Sequence, residues 1–323
     1  MRFNKSLGRI IISALIVSTL FSLSACTTSK ERQEQFKADG VAALNKGDYA
    51  KAVELFNEAL SFSEGSVDDG EIDICYYKAA AQANNNDAKG AAQTYTALME
   101  YDEDNPYPCF LRGSVYLKSG EKSAAIEDYK EAIKRDEENW DLYIAIYENL
   151  SAMNFENEAQ EFLNIALEKS GDSKDECIAR GRMYALMKQY DAAKTAFEKA
   201  KDKGSEDADI YLANMYLEQG KESECDKILE TYKDKSDISS LACNAIAGME
   251  IKRGHPEEAL AYVNMGLDKF SVDNRKDLLR NRVAAYEYMG SFSEAFTYAT
   301  EFLQEYPNDV DMTREVSFLS TRV

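Results

Sequence analysis

Histidine and tryptophan occur once each in these 323 residues, proline four times, and cationic side chains are outnumbered 38 to 58 by carboxylates. Each shortage removes a class of function. With one imidazole, His255 in the turn Gly254-His255-Pro256, and no CxxC pair, the chain lacks a ligand set for a zinc centre, so His255 reads as a solvated turn residue. No GxSxG elbow, GxxxxGK loop, GxGxxG fingerprint or HExxH helix is present, which removes the usual sequence grounds for hydrolase, nucleotide or metalloprotease chemistry. Carboxylate pairs at catalytic spacing follow from abundance alone and read as solvated helix faces. No catalytic residue, metal or cofactor is expected. The formal charge of −20 makes nucleic acid and anionic lipid surfaces poor partners. A basic protein or peptide would be attracted, with solubility alone as the competing explanation for the acidity.

What is present is helical in character. Few prolines, frequent Ala, Glu, Lys and Leu, and 45% hydrophobic residues argue for helix throughout with enough apolar surface for a continuous core. Residues 1–25 stand apart. Arg2, Lys5 and Arg9 precede an apolar run over residues 10–21, and the stretch ends in Leu23-Ser24-Ala25-Cys26. It resembles a bacterial lipoprotein signal peptide. The resemblance implies that residues 1–25 are cleaved and that Cys26 carries the lipid, with residues 26–32 as a lipidated tether. The expected location is the extracytoplasmic side of a bacterial cell-envelope membrane; Thr27 does not decide between cytoplasmic and outer membrane. An ordinary secretory signal or an uncleaved anchor is the alternative, against which the apolar run is short for a spanning helix. Removing its three positive charges from −20 leaves −23 for the remainder.

Residues 106–139 form one complete 34-residue unit, two apolar-periodic runs separated by Ser119-Gly120. Gly113, Ala125 and Ala132 fall where two helices would approach closely, with Tyr116 and Tyr129 between them. This resembles the tetratricopeptide repeat, whose pattern has small residues at its eighth, twentieth and twenty-seventh positions and large ones at the eleventh and twenty-fourth. The unit recurs with starts at Gln33, Ile72, Pro106, Trp140, Lys174, Glu206, Ser240 and Lys276. Its twentieth position holds Ala52, Ala91, Ala125, Ala159, Ala193, Cys225, Ala259 and Ala295. Tyr147 and Val283 depart from the small eighth position, so those two repeats are expected to pack less closely. The fold class is therefore all-α: a right-handed α-solenoid superhelix of about eight helical hairpins over residues 33–309. Residues 310–323 are read as a capping helix, or alternatively a frayed tail. The polar stretch over residues 61–70 lacks the spacing of a calcium loop and reads as a solvated insertion. Cys75, Cys109, Cys177 and Cys243 share the fourth position of their repeats, too far apart for disulfides, and with Cys225 are expected to be free, buried thiols.

The resemblance also implies a concave groove lined by first-helix positions two, five, nine, twelve and thirteen. Position five reads Lys37, Tyr76, Phe110, Ile144, Ile178, Ile210, Asn244 and Arg280: an apolar ladder with polar ends. Beside it lie Tyr107, Glu148, Arg182 and Asn214, groups able to orient a peptide backbone or its charges. Tyr76, Phe110, Ile144, Ile178 and Ile210 of the ladder, with Tyr107, Glu148, Arg182 and Asn214, are the candidate partner-binding groove, with completion of the core as the competing role. Lys37 is followed at position nine by Val41, so a terminal-carboxylate clamp is not expected there. The function expected is an envelope scaffold for protein–protein interaction, assembling or recruiting a complex. A lipoprotein that captures a peptide or solute for a transporter is the alternative.

Overall fold

The computed structural model describes residues 28–63, 67–169, 171–233, 235, 238–269, 272, 274–307 and 309–323. Residues 1–25 and the lipidation candidate Cys26 lie outside the described residues. Eight helical hairpins follow one another: α1 (Ser29–Asn45) with α2 (Tyr49–Ser61), α3 (Asp69–Asn84) with α4 (Ala88–Tyr101), α5 (Tyr107–Lys118) with α6 (Lys122–Arg135), and α7 (Trp140–Ala152) with α8 (Glu156–Leu167). The second half pairs α9 (Lys174–Leu186) with α10 (Tyr190–Asp202), α11 (Ala208–Glu218) with α12 (Glu222–Leu229), α13 (Ser240–Arg253) with α14 (Pro256–Leu267), and α15 (Arg275–Tyr288) with α16 (Phe292–Glu305). A final helix, α17 (Val310–Leu319), closes the array, and no strand occurs among the described residues. Odd-numbered helices touch the next odd-numbered helix from α5 through α15, whereas even-numbered helices do not approach one another comparably. The odd helices therefore lie on the inside of a curved all-α solenoid.

Every hairpin turns in the same way. The fifteenth position takes a left-handed backbone in all eight repeats: Gly47, Asn86, Gly120, Asn154, Lys188, Gly220, Gly254 and Gly290, with φ between 59° and 86°. The next residue's N–H then bonds back to the carbonyl five residues earlier, as in Asp48 to Ala43 and Lys221 to Tyr216, and so satisfies a helix-end acceptor. Lys188 is the one residue of the eight that gains nothing from this conformation, since it is neither glycine nor asparagine.

Between the two helices of each hairpin, all eight residues at position twenty are fully buried. Facing positions eight and twenty-four exchange bulk. Gly40, Gly113 and Gly181 lie under Phe56, Tyr129 and Phe197, and a Cβ on Gly181 would come within 2.3 Å of the Phe197 ring. Where position eight is large, as Tyr147 and Val283, position twenty-four shrinks to Leu163 and Ala299, and all four are buried. The volume taken up on one helix is released on the other, which keeps the hairpin filled. The five described cysteines are free, four buried and Cys75 half-buried; burial pushes the Cys75, Cys109, Cys225 and Cys243 thiols up.

Three details correct the expected boundaries. The first helix begins at Ser29 because Thr28 and Glu31 form a capping box, so residues 29–32 are helix and not tether. Asp68 and Glu71 cap α3 in the same way, which draws Asp69 and Gly70 out of the expected insertion into the helix. In the sixth repeat α12 stops after eight residues and continues as a 3-10 turn at Glu230–Tyr232. There the twenty-seventh position holds bulky Tyr232, whose hydroxyl reaches the Glu206 carbonyl at 3.3 Å. At the other end α17 buries Met312 and Leu319 against the last hairpin. Its cap residue Asp309 accepts from the Met312 N–H and pairs with Lys276 and Arg280 at 2.9 and 2.6 Å.

Candidate concave interaction site

Two adjoining cavities open on the odd-helix face. The first, about 160 Å³, is lined by Ile144 and Glu148 of α7, Arg182, Ala185 and Leu186 of α9, Phe197 of α10, and Tyr211, Asn214, Met215 and Glu218 of α11. Its floor is apolar because Phe197 reaches inward past Gly181, which has no side chain to stop it. Tyr211 stacks on Phe197 with ring centroids 5.8 Å apart, and the Arg182 guanidinium lies 5.8 Å above Tyr211. Arg182 is neutralised by Asp141 of the preceding repeat at 2.5 Å. What remains on the rim are the carboxylates of Glu148 and Glu218.

The second cavity, about 300 Å³, shares Tyr211 and Asn214 with the first and adds Ile210, Asn244, Ala245, Gly248, Met249, Lys252 and Asn281. No carboxylate lines it. The Asn281 amide donates to the Asn244 carbonyl at 3.2 Å and to its side-chain Oδ1 at 2.8 Å. A backbone carbonyl only accepts, so the Asn281 amide orientation is set, and Asn244 must turn its own NH₂ away from Asn281.

The expected groove residues divide three ways. Ile144, Glu148, Arg182 and Asn214 come together in the first cavity, and Ile210 and Asn214 in the second. Tyr76, Phe110 and Ile178 are half-buried outside both cavities, and Tyr107 is 53% exposed at the start of α5. Tyr76 accepts from Asn105 at 3.5 Å, and Phe110 lies 5.8 Å from Tyr129. Ile144 and Ile210 are only 5% and 6% exposed and belong to core clusters, so position five does not present a uniform free ladder. It floors the cavities where the neighbouring helix leaves room. Tyr211, Ala245 and Asn281, all at position six, and Glu218 and Lys252, at position thirteen, were not singled out from sequence. Position thirteen belongs to the inner face implied by the resemblance, and position six lies three residues before position nine on the same helix face, so both carried a usable signal.

The tetratricopeptide repeat family is matched at residues 40–65, 107–139 and 177–202, which fall on the first, third and fifth hairpins. The chain contains tetratricopeptide repeats. Among curated proteins, Photosystem I assembly protein Ycf3 of Prochlorococcus marinus (strain SARG) is 32% identical over 93 residues, covering 28% of this chain and 53% of that protein. The same protein of Synechococcus sp. (strain CC9605) is 34% identical over 92 residues, covering 28% and 51%. The chain thus spans about half the length of the curated relatives it matches. A solved tetratricopeptide repeat protein from Parabacteroides merdae superposes with a TM-score of 0.40 at 15% identity, covering 79% of this chain and 99% of that one. The type IV pilus biogenesis factor PilW does so with a TM-score of 0.36 at 16% identity, covering 62% and 94%. Among the described residues no group of three His, Cys, Asp or Glu is placed to hold a metal ion, and no helix is long and apolar enough to cross a membrane.

Proposed function

We propose that the protein is a lipid-anchored scaffold of the bacterial cell envelope, held on the extracytoplasmic side of a membrane through Cys26, that recruits a basic protein partner into its concave face. The observation that supports this reading is the pair of adjoining cavities on the inner helices, with apolar floors and open polar rims. Volumes of 160 and 300 Å³ suit individual side chains of a docked segment. They lie at or below the roughly 300–1,000 Å³ typical of small-molecule sites, which disfavours the solute-capturing alternative. The net charge of −23 beyond residue 25 favours a cationic partner and opposes nucleic acid. The curated relatives are named for assembly of photosystem I, which agrees with a recruiting role.

Mild crosslinking of the full chain in its native envelope tests the reading, with recovery compared between the wild type and Glu148→Lys/Glu218→Lys. Both side chains are exposed, so the variant should keep its helical circular dichroism and melting temperature. Loss of one stoichiometric basic protein supports the scaffold; an unchanged crosslinked set sinks the concave site. Cys26→Ser should release the protein from the membrane fraction or leave an unprocessed precursor, and unchanged mass and fractionation would remove the anchor.

A further inference from the structure

The two concave cavities carry opposite electrostatic character within one groove. In the first, Glu148 has no ion-pair partner among the described residues, Glu218 accepts only the Asn214 amide at 3.1 Å, and Arg182 is cancelled by Asp141. In the second, the Lys252 ammonium has no ion-pair partner among the described residues and shares the wall with three asparagine amides. Glu218 and Lys252 occupy the same position of adjacent repeats, at the ends of α11 and α13. Neighbouring inner helices pack about 8–10 Å apart, a distance spanned by about three residues of extended chain.

We infer that the groove reads a charge-ordered peptide segment, a lysine or arginine over the Glu148–Glu218 cavity and an aspartate or glutamate about three residues away beside Lys252. This rests on the concave-site reading and adds direction to it. The apolar floor of Ile144, Phe197 and Met215 takes the aliphatic stem of the cationic side chain while the two carboxylates hold its head. Asn244, whose NH₂ is turned away from Asn281, offers a donor to the acidic residue or to the backbone carbonyl beside it. A segment entering in the reverse direction sets its carboxylate against Glu218 and its cation against Lys252. Such like-charge contacts select one orientation.

The test is selection of random dodecapeptides displayed on phage against the immobilised full chain and against Glu218→Lys/Lys252→Glu. Both substituted side chains are exposed, and circular dichroism confirms that the variant is folded. The expected result is a wild-type consensus with a cation and an acid in fixed order about three residues apart, and the reverse order on the exchanged variant. Synthetic peptides of the two orders should differ in affinity for the wild type by about tenfold, and the preference should invert on the variant. A consensus with apolar anchors but no ordered charge pair, or one unchanged on the variant, overturns the inference and leaves the groove standing. Selection of the same peptides by wild type and by Tyr211→Lys/Asn214→Lys, which fills both cavities, overturns the inference and the concave site together.

Discussion

The seam inside each hairpin and the concave face it supports obey different rules. At the seam, position twenty is sealed in every repeat and positions eight and twenty-four trade volume, Gly181 under Phe197 in one hairpin and Val283 beside Ala299 in another. On the concave face, position nine alone runs through Ser114, Glu148, Arg182, Asn214 and Gly248 with no common size or charge. Packing constrains the first set because each helix meets a fixed neighbour. The second set meets solvent or a partner, so the fold leaves its chemistry open.

That contrast can be broken most severely at the seam. Phe197→Ala should cost about 3–5 kcal/mol by leaving a cavity against Gly181, and Gly181→Val about 1–3 kcal/mol by overpacking the ring. Combined, they reproduce the exchange already present at Val283 and Ala299, so chemical denaturation should show a loss well below the sum. Additive losses would mean that the two positions do not compensate.

The next effect lies where the last seam meets its cap. Glu287 is pushed up to about 7, first by burial and then by Glu315 of α17, in a cavity also lined by Arg280 and Asp311. Folded, Glu287 holds its proton to higher pH than the unfolded chain does. The associated stability is present below the ordinary carboxyl range and is lost as pH rises through 7. Glu287→Gln should therefore stabilise the protein at pH 8 by about 1–2 kcal/mol after allowance for solvent screening, and change little at pH 4. Equal melting shifts at both pH values would remove this coupling.

Lys188→Gly should raise stability by up to about 1 kcal/mol, because the left-handed turn costs a lysine more than the extra chain freedom costs a glycine. Any loss would show that the Lys188 side chain contributes contacts of its own. Smallest of all, Tyr107→Ser on the exposed edge of α5 should move the melting temperature by less than the equivalent of about 0.5 kcal/mol. A larger shift would place Tyr107 in the structural half of the comparison.

The same division explains how much could be read before the fold was known. Alanine at position twenty carried the register, since one small residue recurs wherever two helices cross. Glycine marked five of the eight turns, but Asn86, Asn154 and Lys188 adopt the same conformation with no single residue type to betray it. The concave site was half visible: Glu148, Arg182 and Asn214 reach it, and Asn281 and Tyr211 join them from position six, which lies three and seven residues before positions nine and thirteen on the same helix face. Ile144 and Ile210 were expected to line the groove, with completion of the core as the competing role, and at 5% and 6% exposed they do both, flooring the cavities from within the core clusters.

The shortened second helix of the sixth repeat has a mechanical consequence. Because each unit of a solenoid touches only its neighbours, tension along the array passes through every junction in series. Eight residues of α12 followed by a 3-10 turn give the outer wall its shortest second helix there, with Cys225, Leu229 and Tyr232 of that stretch packed into the apolar cluster that runs from Ile210 to Ala285. A load applied along the array would therefore be carried in the sixth unit by a second helix with fewer backbone hydrogen bonds than that of any other unit.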